Sequence, residues 1–176
     1  MSLPVRYTRI AVWLHWLIGL SLMAQMGLGL WMLEIPKAPP GLRAYWFNVH
    51  KSIGLSLAFF IVLRIVWRWY HVPPQLPVQI PNWQALASKI THKVLYVCMI
   101  TMPVTGYLGS SFTQYPIKYF GWTLPYWGWD APAYKALCSQ IHYVCAYTLI
   151  CLIAVHVLAA IKHLFNRDGI FQRMWH

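Results

Sequence analysis

The sequence predicts an all-α fold, an integral membrane four-helix bundle, and three observations predict it. Of 176 residues, 59% are hydrophobic and 16% aromatic while only 10% are charged, an apolar share beyond that of an ordinary soluble domain. The apolar residues gather into four long blocks rather than at the short periods of a soluble core. Each block reaches the roughly 20 residues that, at about 1.5 Å rise, cross a hydrocarbon layer about 30 Å thick. Lipid cannot satisfy exposed backbone N–H and C=O groups, so each block is read as a helix.

The spans are expected at 10–33, 47–69, 94–112 and 134–165, within one domain over 1–176. A signal peptide is the alternative for the first. That block is too long, holds His15, and lacks a small-x-small cleavage site before the Pro-rich segment Pro36 to Pro40, so it reads as a retained helix. The intervening stretches carry the breakers Pro36, Pro39, Pro40 and Gly41, then Pro73, Pro74, Pro77 and Pro81, then Pro116, Gly121, Pro125, Gly128 and Pro132. Trp83, Trp122, Tyr126, Trp127 and Trp129 in these loops suit a headgroup-level aromatic belt. Inside the third span Pro103 is expected to kink the helix and shape a cavity, with Thr101 or Thr105 serving the freed backbone. No internal repeat of fixed period is evident.

An even number of spans puts both termini on one side. Nine Lys and Arg lie on that side and five on the other, so the positive-inside rule makes the termini cytoplasmic. The chain is thus expected to be a multi-pass membrane protein with both termini on the cytoplasmic side. The opposite face holds Lys37, Arg43, Lys51, Lys118 and Lys135 against Glu34 and Asp130, a formal +3.

Only three acids occur in the chain and none lies mid-span. Paired-carboxylate hydrolysis, carboxylate metal cages and intramembrane acid relays are thereby excluded. The net charge of +11 sits at helix ends, where membrane proteins place it, so no nucleic-acid partner is expected. Cys98, Cys138, Cys145 and Cys151 form no CxxC or CxxCH, which argues against covalent haem and thiolate metal sites; they read as packing residues.

The chemistry rests on histidines. His15, His142 and His156 lie within apolar blocks and His50 at the mouth of the second. Ionisable groups inside a membrane are costly and by default functional, although a lone one can simply hydrogen-bond in a bundle. His142 and His156 are 14 residues apart, which on a helix means about 21 Å and about 40° short of whole turns. Depth then matches His15 with His156 and His50 with His142. The residue four positions after each is Gly19, Gly54, Ala146 or Ala160, small enough to leave room for a porphyrin. Pairs from different helices, without thiolate or carboxylate, suit bis-imidazole haem better than zinc or copper. The bundle is therefore expected to hold two b-type haems with His15, His50, His142 and His156 as axial ligands. The competing view is four buried, hydrogen-bonded histidines. His71, His92, His163 and His176 read as interfacial.

The stretches RYTRIAVWLHWL, HKSIGLSLAFFIVLRIVWR, HKVLYVCMITMPVTGYLGS and HVLAAIKHLFNRDGIFQRM resemble the bacterial cytochrome b561 family over almost the whole chain. The bundle is also similar to the cytochrome b subunits of membrane-bound formate dehydrogenases and nickel hydrogenases. The resemblance implies an oxidoreductase that oxidises periplasmic superoxide to oxygen, passes single electrons through two haems and reduces ubiquinone in the membrane. His15 and His156 would ligate the cytoplasmic-side haem, His50 and His142 the periplasmic-side one. Arg43, Lys51 and Lys135 are the candidate groups that attract superoxide or another small anion; they are equally suited to haem propionates or lipid phosphates. Arg9, His92 and Lys162 are the candidate quinone pocket, with His92 also suited to proton transfer or to interface anchoring. Two other readings stay open: an electron-transfer subunit docked to a separate dehydrogenase, and a haem-free structural or transport protein. Outer loops of about 13 and 21 residues favour small-molecule access over a docked partner.

Overall fold

The computed structural model describes residues 6–38, 41–77, 80–125 and 127–175. Pro39, Pro40, Tyr126 and His176 of the sequence reading lie outside the described residues. Among the described residues four α-helices form: α1 (Arg9–Trp31), α2 (Leu42–Tyr70), α3 (Asn82–Ser111) and α4 (Pro132–Asn166). Their 23, 29, 30 and 35 residues are long and apolar enough to cross a membrane. Thr8 caps α1 by accepting the Ala11 N–H. Pro132 opens α4 where a missing N–H costs nothing. Arg167 ends α4 in the left-handed conformation.

Two boundaries depart from hydropathy. α2 begins at Leu42 rather than 47, and α3 at Asn82 rather than 94. The added turns of α3 interleave Trp83, Leu86 and Ile90 with Asn82, Gln84, Ser88, Lys89 and His92. Apolar residues three and four apart sustain helix there, while the polar ones keep the stretch out of an apolar block. Trp83 thus belongs to a helix and not a loop. One antiparallel hairpin, β1 (Lys118–Tyr119) with β2 (Trp122–Thr123), interrupts the all-α pattern. α3 runs through Pro103. Neither threonine serves the freed group: Thr101 donates to the Val97 carbonyl and Thr105 to those of Thr101 and Met102, not to Met99.

Successive helices pack together, α1 on α2, α2 on α3 and α3 on α4. Phe59, Leu158 and Phe165 point outward and are exposed, the surface expected where lipid is the solvent. Inside, Leu14, Ile18, Leu22, Leu57, Ile61, Cys98, Met99 and Leu149 form one core.

That core organises the interior into three layers. Leu22, Leu57, Met99 and Leu149, one per helix, are all buried. Seven residues make two turns to within about 20°, so positions seven away share their face. Toward the termini this gives His15, Arg64, His92 and His156; toward the loops it gives Gly29, His50, Gly106 and His142.

Both ends of the bundle are covered. At the loop end the Phe120 N–H donates to the buried Ser52 hydroxyl over 2.9 Å, fastening the hairpin to α2. Phe120 and Gly121 turn there at φ 46 and 94. Gly128 passes so close to Ser111 that a β-carbon would lie 2.0 Å from its carbonyl oxygen. At the terminal end the Trp16 indole donates to the Met174 carbonyl over 2.6 Å, and Arg173 donates to the Gln75 carbonyl. The 3-10 turn Phe171–Met174 is thereby held against α1 and the α2–α3 connection.

Candidate functional site

Two imidazole pairs define the site. In the loop-end layer the rings of His50 and His142 have centroids 6.3 Å apart and planes inclined by 67°. In the terminal layer His15 and His156 stand 5.9 Å apart, also at 67°. Four histidines from α1, α2 and α4 are thus brought together in the two pairs that depth suggested. Leu149 lies between them on α4, seven residues from each, with 0% exposure.

The hydrogen bonds around the loop-end pair are specific. His142 Nδ1 lies 3.0 Å from the Met102 carbonyl and 3.1 Å from the Thr105 hydroxyl. A carbonyl only accepts, so Nδ1 carries the proton and Nε2 the lone pair, an assignment made from the network. His50 Nδ1 is buried and has no partner among the described residues. Gln25 of α1 donates from Nε2 to the His50 carbonyl over 2.5 Å, while its own Oε1 is buried with no partner among the described residues.

Glycines shape this layer, two of them from outside the four-residue offset. A β-carbon on Gly29 would lie 3.2 Å from His50 Cε1, and one on Gly106 3.4 Å from His142 Cε1. Each imidazole therefore beds against a glycine of a neighbouring helix. Of the expected positions, Gly54 makes room for the Gln25 amide, 3.4 Å from a would-be β-carbon, and Gly19 would meet nothing within 4 Å.

The terminal layer is built differently. His92 of α3 stands edge-on to His156, 5.4 Å between centroids, with Nδ1 2.7 Å from the Ser88 carbonyl. Arg64 of α2 donates from Nη1 to the Ala11 carbonyl over 2.7 Å and from Nε to the Tyr96 hydroxyl over 3.2 Å. Arg64 and Gln25 escaped the sequence reading. Arg64 carried a signal, since it follows His50 by the same 14 residues that separate His142 from His156.

Of the other candidates, Arg9 and Lys162 are exposed and form no hydrogen bond or ion pair with His92 among the described residues. Arg43 is committed to the end of α1, donating to the Leu33 and Ile35 carbonyls over 3.0 and 2.5 Å while lying over the Phe47 ring. Lys51 is half-buried beside His50 and close enough to the exposed Lys135 for the two ammonium groups to repel. His163, beyond the terminal layer, pairs with Asp168 over 2.5 Å. Burial pushes the Asp168 carboxyl up, but hydrogen bonds from His163 and the Ile170 N–H outweigh it and hold the group below the ordinary carboxylate range. All four cysteines are free thiols, Cys98 and Cys138 being buried. No three His, Cys, Asp or Glu side chains converge on a metal position among the described residues.

An apolar groove of about 300 Å³ lies between α2 and α3, with Leu55, Ala58, Val62, Ile100, Pro103 and Tyr107 on its walls. Pro103 does shape a cavity, but one away from Arg9, His92 and Lys162.

Comparison with known proteins accords with this architecture. The family model for prokaryotic cytochrome b561 matches residues 6–176. Cytochrome b561 homolog 2 of Escherichia coli K12 is 33% identical over 97% of this chain and 92% of its own length. Cytochrome b561 homolog 1 of the same organism is 24% identical, covering 96% of both chains. A four-helix membrane bundle with paired interior histidines and a match over nearly its whole length places this chain in the prokaryotic cytochrome b561 family, multi-pass membrane proteins that carry b-type haem and transfer electrons.

Proposed function

We propose that the bundle holds two b-type haems, one between His50 and His142 and one between His15 and His156, and passes single electrons from one membrane face to the other. The observation that carries this reading is the pair of facing imidazoles repeated at the same angle in two layers. The separations of 6.3 and 5.9 Å leave room for a metal between the facing rings, so His50 with His142 and His15 with His156 are the residues that would hold the two groups. The Nδ1 donation of His142 supports it further, because it leaves Nε2 free to bind iron. Bound haem supplies reversible one-electron oxidation and reduction.

The residues between and around the pairs have definable tasks. Leu22, Leu57, Met99 and Leu149 exclude water from the gap between the layers. Lys51, with Lys135 near it, places positive charge beside the loop-end pair and would draw in an anion. Arg43 contributes mainly by holding the end of α1. By the excess of Lys and Arg at the terminal end, that end faces the cytoplasm across the bacterial inner membrane.

The donor that fits is superoxide, which gives up one electron and becomes oxygen at the periplasmic face. The acceptor that fits is ubiquinone at the terminal end, where His92 is the best-placed of the three quinone candidates. Quinone reduction takes two electrons and two protons, so two superoxide anions serve one quinone and the protons enter from water. Stopped-flow pulses of superoxide on the purified, quinone-free protein test this. Haem should be reduced rapidly, reoxidised by added ubiquinone, and reduced at least tenfold more slowly in Lys51→Glu. Haem inert to superoxide would favour the docked dehydrogenase subunit, and absence of any haem band would refute the reading entirely.

A further inference from the structure

Arg64 poses a problem of charge. It lies within a membrane-spanning helix, half-buried, on the inward face of the terminal layer. Ionised groups at such positions require a counter-charge or a full set of hydrogen bonds. The chain has only three acids, and none can serve. Glu34 and Asp130 belong to the loop end, and Asp168 is committed to His163 and the Ile170 N–H.

Its hydrogen bonds leave a direction open. A guanidinium has five N–H donors in a planar fork. Among the described residues two are used, on the Ala11 carbonyl and the Tyr96 hydroxyl. Ala11 is one turn before His15 and Tyr96 one turn after His92. The two bonds therefore hold the guanidinium between α1 and α3 at the level of the terminal pair, near enough to act electrostatically on both His15 and His156. Arg68, one turn on, lies with its guanidinium 5.7 Å from the centre of the Tyr96 ring, adding a second cation at the same place. Tyr7, Ala11, Trp67 and His71 complete a small pocket with these groups.

We infer that Arg64 is the counter-ion for a carboxylate side arm of the haem held between His15 and His156, with Tyr96 and the Ala11 carbonyl fixing its fork. This rests on the two-haem reading. Haem has two carboxylates, and an arginine fork matches a carboxylate better than a point charge does. Toward the loops the other two inward positions are Gly29 and Gly106, Arg43 is spent on carbonyls, and the cations beside the pair are the point charges of Lys51 and Lys135 rather than a guanidinium fork.

The test is haem reconstitution of the full-length chain, stripped of haem in detergent, with native haem and with haem whose carboxylates are methyl esters. Wild-type and Arg64→Gln proteins are compared for haem retention at each site, with Arg64→Lys as the variant that keeps the charge. With native haem, Arg64→Gln should lose one of the two haems about tenfold faster, and the haem that remains at that site should be reduced less readily by a similar factor, about 59 mV for one electron. Arg64→Lys should fall between. With the diester the Gln substitution should change retention by less than twofold. An equal loss with both haems would overturn the inference and make Arg64 a helix-packing residue. A loss that follows added anionic phospholipid and not esterification would assign the partner to a lipid phosphate and overturn it as well. The two-haem reading fails separately, if the wild-type chain binds fewer than two haems or if His15→Ala and His142→Ala remove the same one.

Discussion

The two ends of the bundle present the same four inward positions and fill them with opposite chemistry. Toward the loops they are two histidines and two glycines, and each glycine lets an imidazole bed against bare backbone. Toward the termini they are three histidines and an arginine, with hydrogen-bonded side chains in place of empty positions. In the first, close packing joins the Nδ1 bonds of His142 in fixing orientation; in the second, an arginine and a third histidine with directed bonds of their own stand beside the pair. Low dielectric amplifies a fixed charge, so the terminal layer is the one able to tune a redox group or handle protons. The loop-end layer instead holds its imidazoles against bare backbone, with Lys51 supplying charge beside it.

Single histidines break the comparison most strongly. Replacing His50 or His142 by Ala should abolish one haem and spare the other, and His15 or His156 the reverse, as counted by pyridine haemochrome. Loss of both haems in every variant would mean the layers are not independent sites. Leu149→Ala comes next. A fully buried leucine between the layers, truncated to alanine, should cost about 2–5 kcal/mol of stability, and because it touches neither pair alone it should disturb both haem spectra. Gly29→Val sharpens the contrast. Its first added atom falls 3.2 Å from His50 Cε1, and overpacking of this kind costs about 1–3 kcal/mol. The loop-end haem should change its spectrum while the terminal one does not.

Much of this was legible in the sequence, and the part that was not shares one cause. The four spans, the four histidines and their pairing by depth follow from apolar length and helical rise, which are properties of single segments. His142 and His156 advertise their relation because both lie on one helix. Gly29 and Gly106 do not, because what they do depends on the rotation of α1 and α3 against α2 and α4. The small-residue argument from Gly19, Gly54, Ala146 and Ala160 concerned room for a porphyrin one turn along the same helix; the glycines that touch imidazole are a separate set and come from a neighbouring one. No fixed repeat was evident, yet a seven-residue spacing runs through the interior of every helix; it relates unlike residues, His to Leu to Arg, and so leaves no trace of similarity. Arg43 shows the converse. Its charge and place suggested an anion site, but the Leu33 and Ile35 carbonyls in the turn that follows α1 are nearer claimants.

The smallest expected effect lies beyond the terminal layer, at His163 and Asp168. Both side chains are partly exposed, 17% and 21%, so the pair is worth no more than about 1 kcal/mol. Asp168 has its pKa held below the ordinary value in the folded chain. A depressed folded pKa means that the contribution is present above the unfolded pKa of about 3.9 and is lost as pH falls through the folded value. Asp168→Asn should therefore lower thermal stability slightly near neutral pH, and the difference from wild type should shrink and vanish below about pH 4. Asp168 also receives the Ile170 N–H that starts the closing 3-10 turn. If that turn shields the terminal pair, Asp168→Asn will also speed reduction of the terminal haem by a small water-soluble reductant while leaving the loop-end haem unaffected. Equal rates at both haems would show that the tail covers the bundle without controlling access to it.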